Sequence, residues 1–521
     1  MKRDWTSRTT LLIVGLILVV LNLVGLEVFG RLDLTDDQVY SLSDASIDLV
    51  RDLDDPITIT AFFTDDLPAP YSTNRRFLKD KLDDYRAYGG QRVQYRFVDP
   101  ASDEDLEEEA SRYGIPPLQI QVVERDNVQL KNAFMGVALE YGGKRESIPV
   151  VQDVSTLEYD LTSTMRRLTR EELPIVGFLT GHGEPQPASN MRTLYQGLER
   201  NYQVRTVTID SAGTMEPKPE ALFIVAPSDS LPEAHLRAID EYVMGGGRLA
   251  VFLNRVDANL QMGQAMELST GLEGLLERYG APVLPNLVMD EQSSVVTMQR
   301  QAGLFSLSQQ IRYPFFPIAT RFASDNMMVS RLGDVVFYFV SAVDVEHELP
   351  EGVEREALVF SSPNSATQEG FFMIQPDVAR NFSFSEGPFP LVAAYRGSFP
   401  SAYGSDQTSL STRLLVAGDG DFINESIVGR IGGNIELGLN AVDWLLQDDA
   451  LLAIRTKSIE PRALADVSES LRPWIKYGNM LGPVLLVVIF GLWRWRWRKN
   501  RQIALVRETS ERRPEPEAVP A

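Results

Sequence analysis

Pro174-Ile175-Val176-Gly177-Phe178-Leu179 runs directly into Thr180-Gly181-His182-Gly183-Glu184-Pro185, and the reading of this stretch decides the fold class. A short apolar run with no polar alternation is a strand buried on both faces. The glycines and proline that follow stop it at once. Outward from it, a helix through Leu194 and Leu198 leads to a strand from Gln203 to Ile209, and Ala221 to Ala226 forms a third strand. Ser230-Leu231-Pro232-Glu233 has the form of a capping box with proline in the first turn. The helix it opens carries Leu236, Ile239 and Val243 on one face and stops at Gly245-Gly246-Gly247, before an apolar strand from Arg248 to Leu253. Strands and helices alternating at these lengths predict an α/β fold, a parallel sheet with helices on both faces. Between residues 295 and 410 only short strands such as Val335 to Val340 and Ala357 to Phe360 emerge, so an irregular insertion is expected there. Leu414 to Ala417 is a further strand, ending in Gly418-Asp419-Gly420-Asp421-Phe422, and Asn440-Ala441-Val442-Asp443-Trp444-Leu445 lies on a last helix.

Toward the N-terminus, Tyr40-Ser41-Leu42-Ser43 opens a second region, with Ser43 as the N-cap of a short helix. Ile57, Ile59, Ala61 and Phe63 lie on a strand, and a helix with Phe77, Leu78, Leu82 and Tyr85 on one face ends at Gly89-Gly90. A strand through Val93, Tyr95 and Phe97 follows, then the turn Gly114-Ile115-Pro116-Pro117 and a strand from Gln119 to Val123. Val137 to Tyr141 and Ser147 to Val151 flank a hairpin turn at Gly142-Gly143. Leu157, Leu161, Met165 and Leu168 mark a linking helix. Over residues 54–151 this order resembles the thioredoxin-like fold, and the resemblance implies a cis-proline at Pro116 or Pro117. Where thioredoxins carry two cysteines this chain has Thr64-Asp65-Asp66-Leu67-Pro68, so redox chemistry is excluded.

The 521 residues hold no cysteine and three histidines, His182, His235 and His347. Disulfides, thiolate nucleophiles and cysteine metal sites are thereby ruled out, and a histidine-rich metal centre is not expected. Net charge is −22, yet residues 1–10 carry +2 and residues 494–521 carry +4, which leaves −28 on the body between them. So acidic a body excludes nucleic acid as a partner, because phosphate contacts need a basic surface.

The basic ends flank two apolar stretches. Thr9 to Leu26 contains no charge over 18 residues, a helix of about 27 Å, close to the roughly 30 Å of a bilayer core. No small-x-small cleavage site follows it, so an uncleaved anchor is expected rather than a signal peptide. The second stretch, residues 474–493, ends in a ladder where Trp493, Trp495 and Trp497 alternate with Arg494, Arg496 and Arg498. Aromatic residues at the interface with basic residues beyond it mark a membrane boundary. The positive-inside rule then places both termini in the cytoplasm and residues 30–473 outside it. The expected organisation is residues 1–29 as cytoplasmic end and first membrane helix, 30–170 as a thioredoxin-like domain with its linker helix, 171–462 as an α/β domain, 474–493 as the second membrane helix, and 494–521 as a basic tail, disordered from Arg507.

Tyr40-Ser41-Leu42-Ser43, the Thr180–Pro185 run, Pro227 and the triple glycine, Ser361-Ser362-Pro363, the Gly418–Phe422 run, Asn440–Leu445, Ile454-Arg455-Thr456-Lys457 and the two anchors occur in one order. In that order they resemble the auxiliary components of ABC transporters related to the gliding-motility protein GldG. The resemblance implies a non-enzymatic subunit of the inner membrane that accompanies an ABC permease and an ATPase. It also implies that the second domain is glutamine-amidotransferase-like (flavodoxin-like) without the catalytic cysteine. An envelope protein or polysaccharide is the implied extracytoplasmic partner.

No residue is assigned a catalytic role and no cofactor is expected. His182 and Glu184 stand at the carboxyl end of a strand, where open parallel sheets bind ligands; as a base with an orienting carboxylate they would suit a hydrolase. A tight glycine turn is the plainer reading. Asp419 and Asp421, spaced for a divalent cation, lack the downstream oxygens of a calcium loop, so a strand-to-helix turn is expected. These four residues are the candidates for ligand or partner contact. No Walker motif occurs, so the chain cannot power transport itself. The competing functions are a membrane-anchored hydrolase using His182, Glu184 or Asp421, and a stand-alone envelope sensor.

Overall fold

The computed structural model describes residues 41–446 apart from 66, 68–70, 125–126, 152–153, 155, 171, 303–304, 377–381 and 405–406, together with residues 472–511 and, singly, Ile13, Leu16 and Ile454. They fall into two compact units, 1–459 and 460–521.

The first unit opens with helix α1 (Asp44–Arg51), whose N-cap Ser43 accepts the Ser46 amide as expected. Strand β1 (Ile57–Phe63), helix α2 (Tyr71–Gly89), strand β2 (Val93–Val98), helix α3 (Glu104–Arg112), strands β3 (Met135–Tyr141) and β4 (Lys144–Ile148) and helix α4 (Leu157–Thr169) follow. The four strands form one sheet in the order β2-β1-β3-β4, with β1 parallel to β2 and antiparallel to β3. Two expectations change. The strand expected from Gln119 to Val123 belongs to a hairpin, Leu118–Glu124 with Asn127–Ala133, outside this sheet. Among the described residues the cis peptide bonds are Glu216–Pro217 and Gly387–Pro388, so neither Pro116 nor Pro117 is cis.

A buried ion pair closes this region. Lys81 Nζ lies 3.1 Å from Glu158 Oε2 with both side chains nearly enclosed. Glu158 Oε1 accepts the Ser43 amide at 2.6 Å and the Ser46 hydroxyl at 2.9 Å, and Lys81 also donates to the Ser41 carbonyl at 2.9 Å. Three helices are tied at one point, which explains why the Ser41-Leu42-Ser43 run sits where it does.

The second sheet has nine strands. After β5 (Ile175–Leu179), helix α5 (Arg192–Glu199), β6 (Gln203–Ile209), β7 (Met215–Glu216), β8 (Ala221–Val225), helix α6 (Glu233–Met244), β9 (Arg248–Phe252) and helix α7 (Leu272–Arg278) come β10 (Arg321–Phe322), β11 (Val353–Phe360), β12 (Pro390–Gly397), β13 (Thr412–Ala417) and helix α8 (Gly432–Leu445). The order across the sheet is β10-β11-β12-β13-β9-β8-β5-β6-β7. Five central strands are parallel; in chain order they run 2-1-3-4-5, a doubly wound arrangement. The two faces divide the side chains cleanly. Phe223 and Val225 pack with Leu194, Leu198, Leu437 and Ala441 on one side; Leu222 and Ile224 pack with Leu236, Ile239, Leu272 and Leu275 on the other. Phe178, Phe223, Phe252 and Phe422 follow one another in a row across the first face, with ring centroids 5.3, 5.9 and 5.1 Å apart, the first pair stacked and the second edge-on.

The stretch expected as an irregular insertion is more ordered than its sequence suggests. Strands β11 and β12 extend the parallel sheet in antiparallel fashion, and Ser293–Ala302 pairs with Phe305–Ala319 in a long hairpin. The capping box at Ser230 does not form: α6 starts at Glu233 behind Pro232, and the Ser230 hydroxyl donates to the Ser269 carbonyl at 3.1 Å.

The second unit is helix α9 (Arg472–Glu511). Residues Lys476–Asn500 are long and apolar enough to cross a membrane, with mean hydropathy 1.4, and Leu485, Val488, Phe490 and Trp493 are exposed. The helix runs through the tryptophan–arginine ladder to Glu511, so residues 507–511 of the expected disordered tail are helical; residues 512–521 lie outside the described residues. Of Thr9 to Leu26 only Ile13 and Leu16, both helical, are described.

Replacing Lys81 by methionine strands the Glu158 carboxylate in a dry site and is expected to cost about 3–5 kcal/mol. A fall in the urea midpoint of the full chain, without loss of slope, checks this.

Candidate functional site

In a doubly wound sheet, loops on either side of the point where strand order reverses leave a crevice at the carboxyl ends. Here that point lies between β5 and β8. The β5 loop is the Thr180–Pro185 run and the β8 loop begins at Ala226. Together with the loop after β9 and the Gly418–Phe422 run after β13, they border a cavity of about 660 Å³. Gly183, Pro185, Ala226, Pro227 and Ser228 line it from the first two loops, Asn254 and Asp257 from the third, and Asp421 and Asn424 from the fourth. Phe316, Tyr338 and Phe339, remote in sequence, supply an aromatic wall.

Backbone strain concentrates here. Among the described residues, the non-glycine residues with positive φ are Ala226 at 43° and Phe339 at 50°, and both line the cavity. Such conformations cost on the order of 1–3 kcal/mol and persist only where surroundings impose them. Ala226 is held by its amide, which donates to the Phe252 carbonyl at 2.9 Å. Gly420 presses against the same spot: a Cβ there would lie 2.6 Å from both the Ala226 nitrogen and the Phe252 oxygen.

The structure separates the four sequence-predicted residues. His182 and Glu184 are buried behind the cavity wall and do not line it. Glu184 Oε2 accepts the His182 amide at 2.7 Å and Glu184 Oε1 lies 3.0 Å from His182 Nδ1. His182 Nε2 lies 2.8 Å from His235 Nδ1. The imidazole is thus saturated at both nitrogens, and the His182 carbonyl accepts the Ser228 and Asp229 amides at 3.0 and 2.9 Å. This chain of groups joins the β5 loop to the β8 loop and to α6. His235 was missed in the sequence; its place in the first turn of an amphipathic helix carries no signal of a histidine partner. Among the described residues no group of three or more His, Asp or Glu side chains is disposed to hold a metal ion.

Asp419 is wholly buried: Oδ2 accepts the Tyr338 amide at 2.7 Å and Oδ1 the Asp421 amide at 2.7 Å. Burial, reinforced by the neighbouring Asp421 charge, holds its pKa well above the usual carboxylate range. Asp421 does face the cavity. Its Oδ2 accepts from Asn254 Nδ2 at 2.8 Å, and Asn254 Oδ1 accepts the Gly420 amide at 2.7 Å. Burial pushes the Asp421 carboxyl up, against the carboxamides of Asn254 and Asn424 that lower it, and Asp257 adds to the rise.

A strained strand end beside a switch-point cavity lined by carboxamide and carboxylate groups places the chain in the doubly wound α/β class. The chain belongs to the ABC transporter auxiliary family described as ABC-type uncharacterized transport system, whose model matches residues 173–443. Membership places it among the components of ABC-type transport systems, and with the apolar C-terminal helix it points to membrane association. Residues 36–140 match a domain of unknown function. An uncharacterized protein of Borreliella burgdorferi is 20% identical over 494 residues, covering 92% of this chain and 95% of that one. Among solved structures, the mmIFT52 N-terminal domain is similar at 14% identity, covering 52% of this chain and 97% of that one, with a TM-score of 0.33. A putative ThuA-like protein from Parabacteroides merdae is similar at 13% identity over 53% of this chain and 91% of that one, with a TM-score of 0.30.

Two outcomes follow from the geometry. Gly420→Ala drives a methyl group into backbone atoms and is expected to lower stability by about 1–3 kcal/mol, read as a drop in melting temperature. A carboxyl whose pKa rises on folding keeps its proton in the native state while the unfolded chain has lost it, so its contribution falls as pH rises through and above 3.8. Asp421→Asn keeps the bond to Asn254 and removes that charge. Its urea midpoint should fall less steeply with rising pH than that of the parent chain; an equal slope would refute the assignment.

Proposed function

We propose that this chain is a GldG-type, non-enzymatic auxiliary subunit that receives a ligand in the switch-point cavity and works beside an ABC permease and ATPase. In this reading two helices anchor it in the cytoplasmic membrane with both termini inside. A thioredoxin-like domain (residues 30–170) and an amidotransferase-like domain (residues 171–462) stand outside, toward an envelope protein or polysaccharide. The observation that carries the proposal is Ala226. A strained residue at a strand end is where α/β enzymes expose a nucleophile above the sheet, and here the position holds only a methyl group. A cavity at a strand end whose strained residue bears no nucleophilic atom suits binding without turnover.

The hydrolase alternative has less to stand on. His182 is sealed from the cavity, and among the described residues no imidazole or carboxylate hydrogen-bonds the Ser228 hydroxyl. Asp421 would act there without an activated nucleophile.

Crosslinking in intact cells, followed by purification in mild detergent, tests the assignment. An ABC permease and an ATPase should be recovered with the chain. Recovery of the chain alone, in repeated experiments with crosslinks formed elsewhere in the membrane, would exclude the proposed partnership.

A further inference from the structure

The cavity's lining narrows what it can hold. Its charged side chains are Asp257 and Asp421, and its other polar side chains are Asn254, Asn424, Ser228 and Tyr338; among the described residues no Lys, Arg or His lines it. The guanidinium groups on the flanking segments are turned to other carboxylates: Arg255 pairs with Glu267 at 3.0 Å and Glu273 at 2.9 Å, and Arg430 with Glu425 at 3.6 Å. Among the described lining residues an anion entering here would meet two carboxylates and no counter-charge, an unfavourable desolvation.

The lining is also aromatic. Phe316 and Tyr338 have ring centroids 4.3 Å apart, and Phe316 meets Phe339 edge-on at 5.1 Å. The Tyr338 backbone is pinned by Asp419, and the Phe339 amide donates to the Phe315 carbonyl at 3.0 Å. A cavity lined by both aromatic rings and carboxylates attracts cations, by the ring quadrupole as well as by charge. Asp421 supplies a further reason: it is held in a site that penalises its ionised form, and a bound cation would relieve that penalty.

The mouth is apolar. Leu260 and Ile427 line the cavity while 63% and 50% exposed. Asp257 lies directly opposite Met266 in the hairpin Val256–Asn259 and Gln264–Glu267, so the two side chains share one face. Met266 is 71% exposed, and Phe371, just before the neighbouring strand Phe372–Met373, is 66% exposed. Exposed apolar groups clustered at a cavity mouth mark a contact surface, and a small hydrated ion would leave them uncovered.

From these observations we infer that the cavity receives a cation carried on an apolar stem, an ammonium or guanidinium group. Asp421 and Asp257 take the charge, the rings of Phe316, Tyr338 and Phe339 enclose the head group, and Leu260, Ile427 and Met266 cover the stem. The inference rests on the cavity being the ligand site, as proposed above. The same chemistry is offered by a free alkyl amine and by a lysine or arginine side chain of a partner polypeptide.

Calorimetric titration of the full chain in detergent separates these possibilities. The probes are pentylguanidinium, pentylammonium, 1-pentanol, hexanoate, glucose and a blocked peptide with one arginine between leucines. Both cations should bind, and pentanol and hexanoate should bind at least about tenfold more weakly. Asp421→Asn should weaken pentylguanidinium by about a hundredfold. Asp257→Asn, on an exposed residue that cannot upset folding, should weaken it by about threefold. Peptide binding more than about tenfold tighter than pentylguanidinium assigns the cation to a polypeptide partner, and equal or weaker binding assigns it to a free amine; either supports the inference. Preference for glucose or hexanoate, abolished by Ser228→Trp in the cavity wall, would overturn the cation while keeping the cavity as the ligand site. Silence from every probe would overturn the inference and leave the auxiliary role to the crosslinking result.

Discussion

The carboxyl group of Asp419 holds the site together. It stands just beyond the end of β13, fully buried, and takes the amides of Tyr338 and Asp421 on its two oxygens. One hydrogen bond fixes the segment that carries the aromatic wall; the other shapes the turn that aims Asp421 into the cavity. The flanking glycines are consequences of this crowding. A Cβ on Gly418 would lie 1.8 Å from the Ser341 oxygen, and one on Gly420 would strike the backbone at Ala226. The Gly-Asp-Gly-Asp-Phe run is therefore a joint between the parallel sheet and the antiparallel chain packed on its end. Its phenylalanine completes the aromatic row beneath. A buried, hydrogen-bonded carboxyl suits this task because each oxygen is committed to a backbone amide that would otherwise be orphaned.

How much of this was legible depended on how local the cause was. The parallel strands were readable because strands buried on both faces are written as short apolar runs bounded by turn residues, as Ala221 to Ala226 is. The ends of those strands were readable because glycine and proline punctuate them. Strand β11 was legible only in its second half, Ala357 to Phe360, because its first half mixes Glu354, Arg355 and Glu356 with apolar residues and matches neither period; β12 was not read. The cavity could be anticipated from the strand-end loops but not closed, since Phe316, Tyr338 and Phe339 arrive by long-range pairing. Of the two aspartates in the motif, sequence spacing made them equivalent. Folding gave one to the backbone and the other to the cavity.

His182 illustrates the plainer of its two sequence readings, a tight glycine turn. A lone histidine between glycines at a strand end invites a chemical role. Gly181 and Gly183 take φ values of 120° and 81°, conformations that L side chains rarely adopt, and the tight loop they form turns the imidazole inward. There it meets Glu184 on one nitrogen and His235 on the other. The histidine thus braces the two loops that frame the switch point. Its effect on any ligand passes through the positions of Gly183 and Ser228, both of which line the cavity.

The buried ion pair of the N-terminal region answers a different mechanical need. A salt bridge out of water is seldom a net source of stability, because desolvation offsets most of the attraction. Here the pair is surrounded by Ser41, Ser43, Ser46 and the α4 backbone, so Glu158 satisfies two donors from the chain entering the domain while Lys81 satisfies an acceptor. Apolar residues could replace the pair, but not its ability to fix that entry point by direction as well as by contact. Leu42 and Val50 pack into the same core as Leu157 and Leu161, which supplies adhesion without angle. The serines and the ion pair supply the angle.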